Sequence, residues 1–243
     1  MKITEKICLV TGGSGDIGSS IVNELVSMKS KVIILDKVKP KILSNDIYFF
    51  KCDLKNSEKI YKTLKKIFNE GFEISVLVNN AGLISNSLLV NYMIKDSLPD
   101  LKIWDDTMNI NLKAPYFISS LAAQDMIKNR REGVIINISS IASRGNSGQS
   151  VYSSSKAGLE TLTKVWAQEL GPFGIRCAAV APGYIETNST KKALKEDKLN
   201  EIKNKIPLKK LGKIENITKS IRFVIENDYF NGSVLNVDGG LSI

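Results

Sequence analysis

The chain has 243 residues, 43% of them hydrophobic, and carries 34 Lys and Arg against 25 Asp and Glu for a net charge of +9, with no histidine at all. One α/β domain of that length buries roughly 70–75% of its unfolded surface and needs no covalent staple, and every apolar run stops short of the ~18 residues of a membrane span. Without histidine, Ser-His-Asp chemistry and the commonest zinc ligand are excluded, so no metal site is read and proton transfer falls to Tyr, Lys, Cys or carboxylates.

Met1 to Lys6 lead into a first apolar run with no small-residue cleavage site, which predicts a strand and not a leader. Apolar, β-branched runs follow at 7–10, 31–35, 47–50, 75–78, 134–138, 175–180 and 233–237. They are nearly continuous in apolar character, as strands covered on both faces must be. Between them lie stretches of helical period, including 17–29, 57–69, 103–128 and 152–171. Strand–helix alternation predicts one doubly wound parallel sheet with helices on both faces and right-handed crossovers. No repeat or linker divides it, so residues 1–243 are expected to form one domain. Two irregular stretches, 83–101 and 187–212, follow the ends of strands, where open α/β sheets hold ligands. The second is expected to act as a lid.

Cys8, Cys52 and Cys177 lie far apart in sequence, in or beside apolar runs. An odd count without metal-ligand spacing predicts free thiols in a reducing, cytoplasmic setting. The positive charge finds no zinc-finger spacing, aromatic RNA-binding signature or basic helix beside it, so nucleic acid is not read as a partner.

Directly after the first strand stands Thr11-Gly12-Gly13-Ser14-Gly15-Asp16-Ile17-Gly18, opening a helix. Gly12 permits the sharp turn, Ser14 and its small neighbours let backbone approach a pyrophosphate, and Gly18 lets the helix pack on the strand. The helix start, at Asp16 and Ile17, supplies unpaired N–H donors for phosphate. The second strand ends in Asp36, where a carboxylate accepts hydrogen bonds from the adenosine ribose and repels a 2′-phosphate. NAD is therefore expected over NADP, with Lys37 next door as the contrary signal; a plain strand-end turn is the other use of Asp36.

Tyr152-Ser153-Ser154-Ser155-Lys156 opens a helical stretch, and residues four apart are neighbours on a helix. An ammonium beside the phenol lowers the tyrosine pKa from near ~10. Such a tyrosine can protonate a carbonyl oxygen or deprotonate an alcohol. Thirteen residues before Tyr152 lies Ser139, at the end of the fifth strand in Asn137-Ile138-Ser139-Ser140. Ser140 is the alternative, and a strand end sends the two neighbours to opposite faces.

These motifs occur in order with Asn79-Asn80-Ala81-Gly82, Asn111-Leu112-Lys113, Pro182-Gly183-Tyr184-Ile185-Glu186-Thr187 and Asn236-Val237-Asp238-Gly239-Gly240. Together they resemble the classical short-chain dehydrogenase/reductase family over essentially the whole chain, and most closely its 3-oxoacyl-acyl-carrier-protein reductase-like members. The resemblance implies a Rossmann fold, a homotetramer and a hydride transfer between nicotinamide and a carbonyl or secondary alcohol. It implies Tyr152 as the acid/base, Ser139 as the donor to the substrate oxygen, Lys156 on the nicotinamide ribose and Asn111 on a proton-relaying water. It also places Asp53 and Leu54 at the adenine, Asn80 and Gly82 along the cofactor, and Gly183, Ile185 and Thr187 at the carboxamide. Related enoyl reductases space their Tyr and Lys more widely.

Two features depart from the family pattern. Asp16 stands where the family has glycine, either capping the helix or repelling the pyrophosphate, and capping is the reading preferred here. Residues 91–101 lengthen the segment between Gly82 and Asn111, near the expected site mouth. For the substrate, Asn146-Ser147-Gly148-Gln149 and Arg130 are similar to the carrier-protein reductases, whereas Phe173 replaces a second basic position. A sugar, polyol or nucleotide-sugar dehydrogenase is the runner-up, and a non-catalytic dinucleotide sensor is disfavoured by the intact Tyr and Lys. Residues 187–213 hold nine lysines (191, 192, 195, 198, 203, 205, 209, 210, 213) against Glu196, Asp197 and Glu201. That excess suits an anionic or carrier-linked substrate, or else a solvated surface.

Overall fold

The computed structural model describes all residues except 42, 43, 87, 92, 94–97, 194, 195 and 243, together with the side chains of 191–193. Seven strands form the sheet: β1 (Ile7–Thr11), β2 (Lys31–Asp36), β3 (Ile47–Lys51), β4 (Ile74–Asn79), β5 (Gly133–Ile138), β6 (Ile175–Pro182) and β7 (Val234–Val237). All pair in parallel in the order β3-β2-β1-β4-β5-β6-β7. The chain runs outward from β1 through β2 and β3, then returns to β4 on the other side of β1. This reversal opens the crevice in which doubly wound sheets bind ligands.

Every residue of β4 and β5 is buried, the polar Ser75, Asn79 and Asn137 included, as expected of strands covered on both sides. Alternation along the strands sorts the core into two layers. Cys8 and Val10 of β1 face α1 (Asp16–Ser27) and α8 (Ile214–Glu226), where Ile21, Leu25, Ile217 and Ile221 close that layer. Leu9 faces α2 (Ser57–Asn69), α4 (Ala114–Lys128) and α5 (Ser150–Leu170), packing with Ile60, Leu64, Ile118 and Met126. Each such aliphatic side chain contributes about 1.5–3 kcal/mol on burial. Asn56 caps α2, its Oδ1 accepting from Lys59 N at 2.9 Å.

The structure interrupts the helix expected over 103–128. It forms α3 (Leu101–Met108), a π turn over Asn109–Lys113, and then α4. Pro115, in the first turn of α4, lacks the N–H that a regular helix would give to the Asn111 carbonyl, and a wider turn accommodates that loss. The 187–212 stretch is not wholly irregular: it contains α6 (Asn188–Ala193) and α7 (Glu196–Lys205). Ile202 of α7, with Ile206, anchors on Ile141 and Leu241. Part of the 91–101 segment, residues 92 and 94–97, lies outside the described residues. No described helix is long and apolar enough to cross a membrane.

Candidate active site

The glycine-rich turn lies at the sheet's reversal point. Gly12 has φ +66, and a Cβ there would stand 2.8 Å from Ala81 Cα; at Gly18 it would stand 2.0 Å from Gly12 O. These two positions therefore admit only glycine, whereas a Cβ at Gly15 would meet nothing nearer than 3.6 Å. Thr11 Oγ1 accepts from Asn80 N at 3.0 Å and Ala81 N at 3.1 Å, and Asn80 Nδ2 donates to Thr11 O at 3.0 Å and Gly12 O at 3.1 Å. The Asn80 side chain thus staples the end of β4 to the turn after β1. Thr11, which the sequence reading did not single out, is the other half of that staple.

Asp36 sits at the end of β2 beside this turn. Its carboxylate accepts from Ser14 N and Val38 N, both at 3.1 Å, while Ser14 Oγ donates to Val38 O at 2.6 Å. Asp53 follows β3, with Leu54 next in sequence, and its Oδ1 accepts from Lys55 N at 3.1 Å. A tight glycine cradle, a helix start and a carboxylate at the next strand end form a chemically suitable bed for a dinucleotide.

Asp16 does not cap α1. The N-cap is Gly15, without a side-chain cap, and Asp16 Oδ2 accepts from Ser189 N at 3.0 Å and Ser189 Oγ at 2.8 Å. A carboxylate at the first helical position is one residue too late for the N-cap geometry. It ties the glycine-rich turn to the first turn of α6. On the same side, Ile185 is buried and bridges to Gly212, and Thr187 Oγ1 lies 2.9 Å from Thr190 Oγ1. Gly183 approaches the chain so closely that a Cβ would stand 2.8 Å from Asp238 Cα.

Beyond the ends of β4 and β5, the π turn and α5 bring four polar side chains together. Asn111 is fully buried; its Oδ1 accepts from Leu83 N at 2.7 Å, and its Nδ2 donates to Leu83 O at 2.9 Å and Ser155 Oγ at 3.1 Å. Lys156 is 4% exposed and its Nζ donates to Ile138 O at 2.7 Å. A Cβ at Gly82 would lie 3.5 Å from that Nζ and 3.6 Å from Asn111 Oδ1, so the bare backbone at Gly82 borders both. Lys156 Nζ is 5.8 Å from the centroid of the Tyr152 ring. Burial lowers the Lys156 ammonium to about 8, opposed by the field of Glu160.

Two features differ from expectation here. Burial outweighs the other influences on the Tyr152 phenol and raises its pKa from the ordinary 10, opposite to the lowering expected from a neighbouring ammonium. Ser140, beside Ser139, exerts a lesser, lowering influence on that phenol, while its Oγ accepts from Ala142 N at 3.2 Å. Ser139 points the other way, is 3% exposed, and its Oγ donates to Glu160 Oε1 at 2.7 Å. A 3₁₀ turn, Ile141–Arg144, sits between strand and helix, so sequence distance alone does not fix which serine faces Tyr152. The cysteines offer no rival chemistry. All three are free and buried, and burial pushes Cys8 and Cys177 up to about 12.

A parallel sheet with a phosphate-binding turn at its reversal point, and a buried Tyr–Lys pair beyond it, defines a dinucleotide-dependent oxidoreductase. The family described as short chain dehydrogenase matches residues 6–198, and the chain belongs to that family. The chain is 36% identical over 251 residues to the 3-oxoacyl-acyl-carrier-protein reductase FabG of Buchnera aphidicola subsp. Baizongia pistaciae, covering 99% of each. It is 39% identical to the protein of that name from Rickettsia typhi, covering 98% of this chain and 97% of the other. A short chain dehydrogenase from Leptospira borgpetersenii, solved with bound NAD+, superposes with a TM-score of 0.89 at 26% identity, covering 100% of this chain and 94% of that one.

Proposed function

We propose that the protein is an NADH-dependent carbonyl reductase acting on a 3-oxoacyl thioester or a similar anionic, carrier-linked substrate. The observation that carries the reading is the buried pair of Tyr152 and Lys156, with half-buried Ser140 beside it, at the mouth of the glycine-rich crevice and with Asp36 at its far side.

Gly12, Ser14, Ile17 and Gly18 would hold the pyrophosphate, Asp36 the adenosine ribose, and Asp53 and Leu54 the adenine. Gly82, Tyr152 and Lys156 would border the nicotinamide ribose, with Gly183, Ile185 and Thr187 along the carboxamide; Asn80 would act through its staple to Gly12. The dinucleotide supplies the hydride. The protein supplies the proton: Tyr152, protonated at neutral pH, gives its hydroxyl proton to the carbonyl oxygen as that oxygen gains charge. Ser140 donates a hydrogen bond to the same oxygen, where stabilisation of developing charge is worth most. The Lys156 ammonium favours the phenolate that remains, and Asn111, held by its bonds to the Leu83 backbone, would bind a water that passes protons onward from Lys156. In the alcohol-oxidising direction the same groups run in reverse.

Arg130 stands exposed ahead of β5, at the position the resemblance gives to carrier contact, while Phe173 is exposed and apolar at the second position. One basic anchor instead of two suits a weaker grip on an acidic carrier. The buried, unpaired thiols suit the cytoplasm, and a homotetramer and a lid over 187–212 complete the reading. The test is turnover of a carbonyl panel, acyl-thioesters included, with NADH and with NADPH. NADH is expected to win, because the Asp36 carboxylate would face a 2′-phosphate, and Asp36→Ser should narrow the gap. A wild-type preference for NADPH would give that choice to Lys37 instead.

A further inference from the structure

Ser139 and Glu160 have no part in the chemistry above, yet they are bonded to each other beside it. A buried hydroxyl is costly unless it is paired, and Ser139 Oγ donates to Glu160 Oε1 at 2.7 Å and to Lys156 O at 3.4 Å. Glu160 lies one helical turn beyond Lys156 on α5, so the two side chains leave the same face. Lys156 Nζ in turn donates to the carbonyl of Ile138, the residue that precedes Ser139. Ammonium and carboxylate are therefore both secured to two consecutive residues at the end of β5.

We propose that Glu160, fixed by the Ser139 hydroxyl, is a positioning residue that keeps Lys156 protonated during turnover. The proposal rests on the reading of Lys156 as the cation beside Tyr152. Desolvation drives the buried ammonium towards neutrality, and Glu160 is the charge that opposes it. Tyr152 is the other titratable group facing it, across 5.8 Å from Nζ to ring centroid. Four charged groups on the elements packed against α5 are engaged elsewhere: Asp106 of α3 with Lys55, Asp125 of α4 with Arg131, Arg144 of the 3₁₀ turn with Asp238, and Arg176 of β6 with the carbonyls of Val224 and Phe230. Lys102 and Asp105 of α3, Lys113 of the π turn, Lys128 of α4, and Lys164 and Glu169 of α5 are exposed.

The experiment follows carbonyl reduction with NADH from about pH 6 to about pH 9.5 in the wild type, Glu160→Gln and Ser139→Ala. Glu160→Gln keeps an acceptor oxygen for Ser139 and removes only the charge. Losing a carboxylate disfavours the ammonium, so the alkaline limb of kcat should move down by about 1 unit. The loss should accordingly be greater at pH 8 than at pH 6, and Ser139→Ala should move the limb in the same direction by less. An alkaline limb that stays in place in both variants overturns the proposal, whatever happens to the melting temperature. The pH midpoint of NADH binding, read by nicotinamide fluorescence, needs no turnover and should fall in the same variants. A falling midpoint in a protein that reduces no carbonyl supports the Glu160 role and fails the proposed activity. An unmoved midpoint in an active enzyme does the reverse.

Discussion

Ser139 and Ser140 are adjacent, yet one hydroxyl is committed to Glu160 and the other accepts from Ala142 N at the start of the 3₁₀ turn. Their separation follows from extended backbone, which sends successive side chains to opposite sides. The need for a serine near residue 139 was legible in the sequence; the face each serine presents was not, because it depends on where β5 stops and the 3₁₀ turn begins. Ser140→Ala is expected to cost about 10²-fold in kcat, the lower end for loss of an oxyanion donor. Ser139→Ala should cost far less at pH 7, so side-by-side kcat values of the two variants decide the assignment. Lys156 gives a stability prediction. Its folded pKa, about 8, lies below its ordinary 10.5, so its charged form is disfavoured by folding. Below pH 8 the lysine is protonated in both states and the cost is fully present; between 8 and 10.5 the unfolded state binds more protons and stability rises with pH. Lys156→Met should therefore stabilise the fold by on the order of 3 kcal/mol at pH 7 while removing activity, and lose that advantage as pH approaches 10.5. Denaturant midpoints at the two pH values are the measurement.

At the scale of elements, the strands and most helices were legible, because apolar runs of strand length and helical periods are local signals. The break in 103–128 was carried by a single residue, Pro115, whose effect on the Asn111 turn shows only when helix bonding is traced donor by donor. The contact between Asp16 and Ser189 was not legible, since it joins residues 173 positions apart. It makes a prediction about the proposed lid. A hydrogen bond to a carboxylate, partly exposed as here, contributes about 1 kcal/mol, equivalent to about fivefold in an opening equilibrium. Asp16→Ala and Ser189→Ala should each raise tryptic cleavage within 187–212 by about that factor, and the double variant should add little more. Cleavage rates unchanged in both single variants would show that the contact does not hold the stretch down.

Over the whole molecule, charge is the property most altered by seeing the structure. Of the lysines in 187–213, Lys198 and Lys205 both pair with Glu201 at 2.7 and 2.8 Å, so part of the local excess is answered internally. Lys203, Lys209, Lys210 and Lys213 have no described carboxylate partner, whereas the Lys191, Lys192 and Lys195 side chains lie outside the described residues. If this field draws in an anionic substrate, kcat/KM at saturating NADH should fall as the Debye length shrinks from ~30 Å at 0.01 M salt to ~8 Å at 0.15 M. A flat profile would leave the lysines as solvated surface. The central claim, that a buried tyrosine passes the proton in a hydride transfer, is tested most directly by Tyr152→Phe. With the ring and its packing kept, NADH affinity and melting temperature should match the wild type, while kcat/KM for the best carbonyl falls at least ~10²-fold. A Tyr152→Phe enzyme that turns over at the wild-type rate would contradict the account.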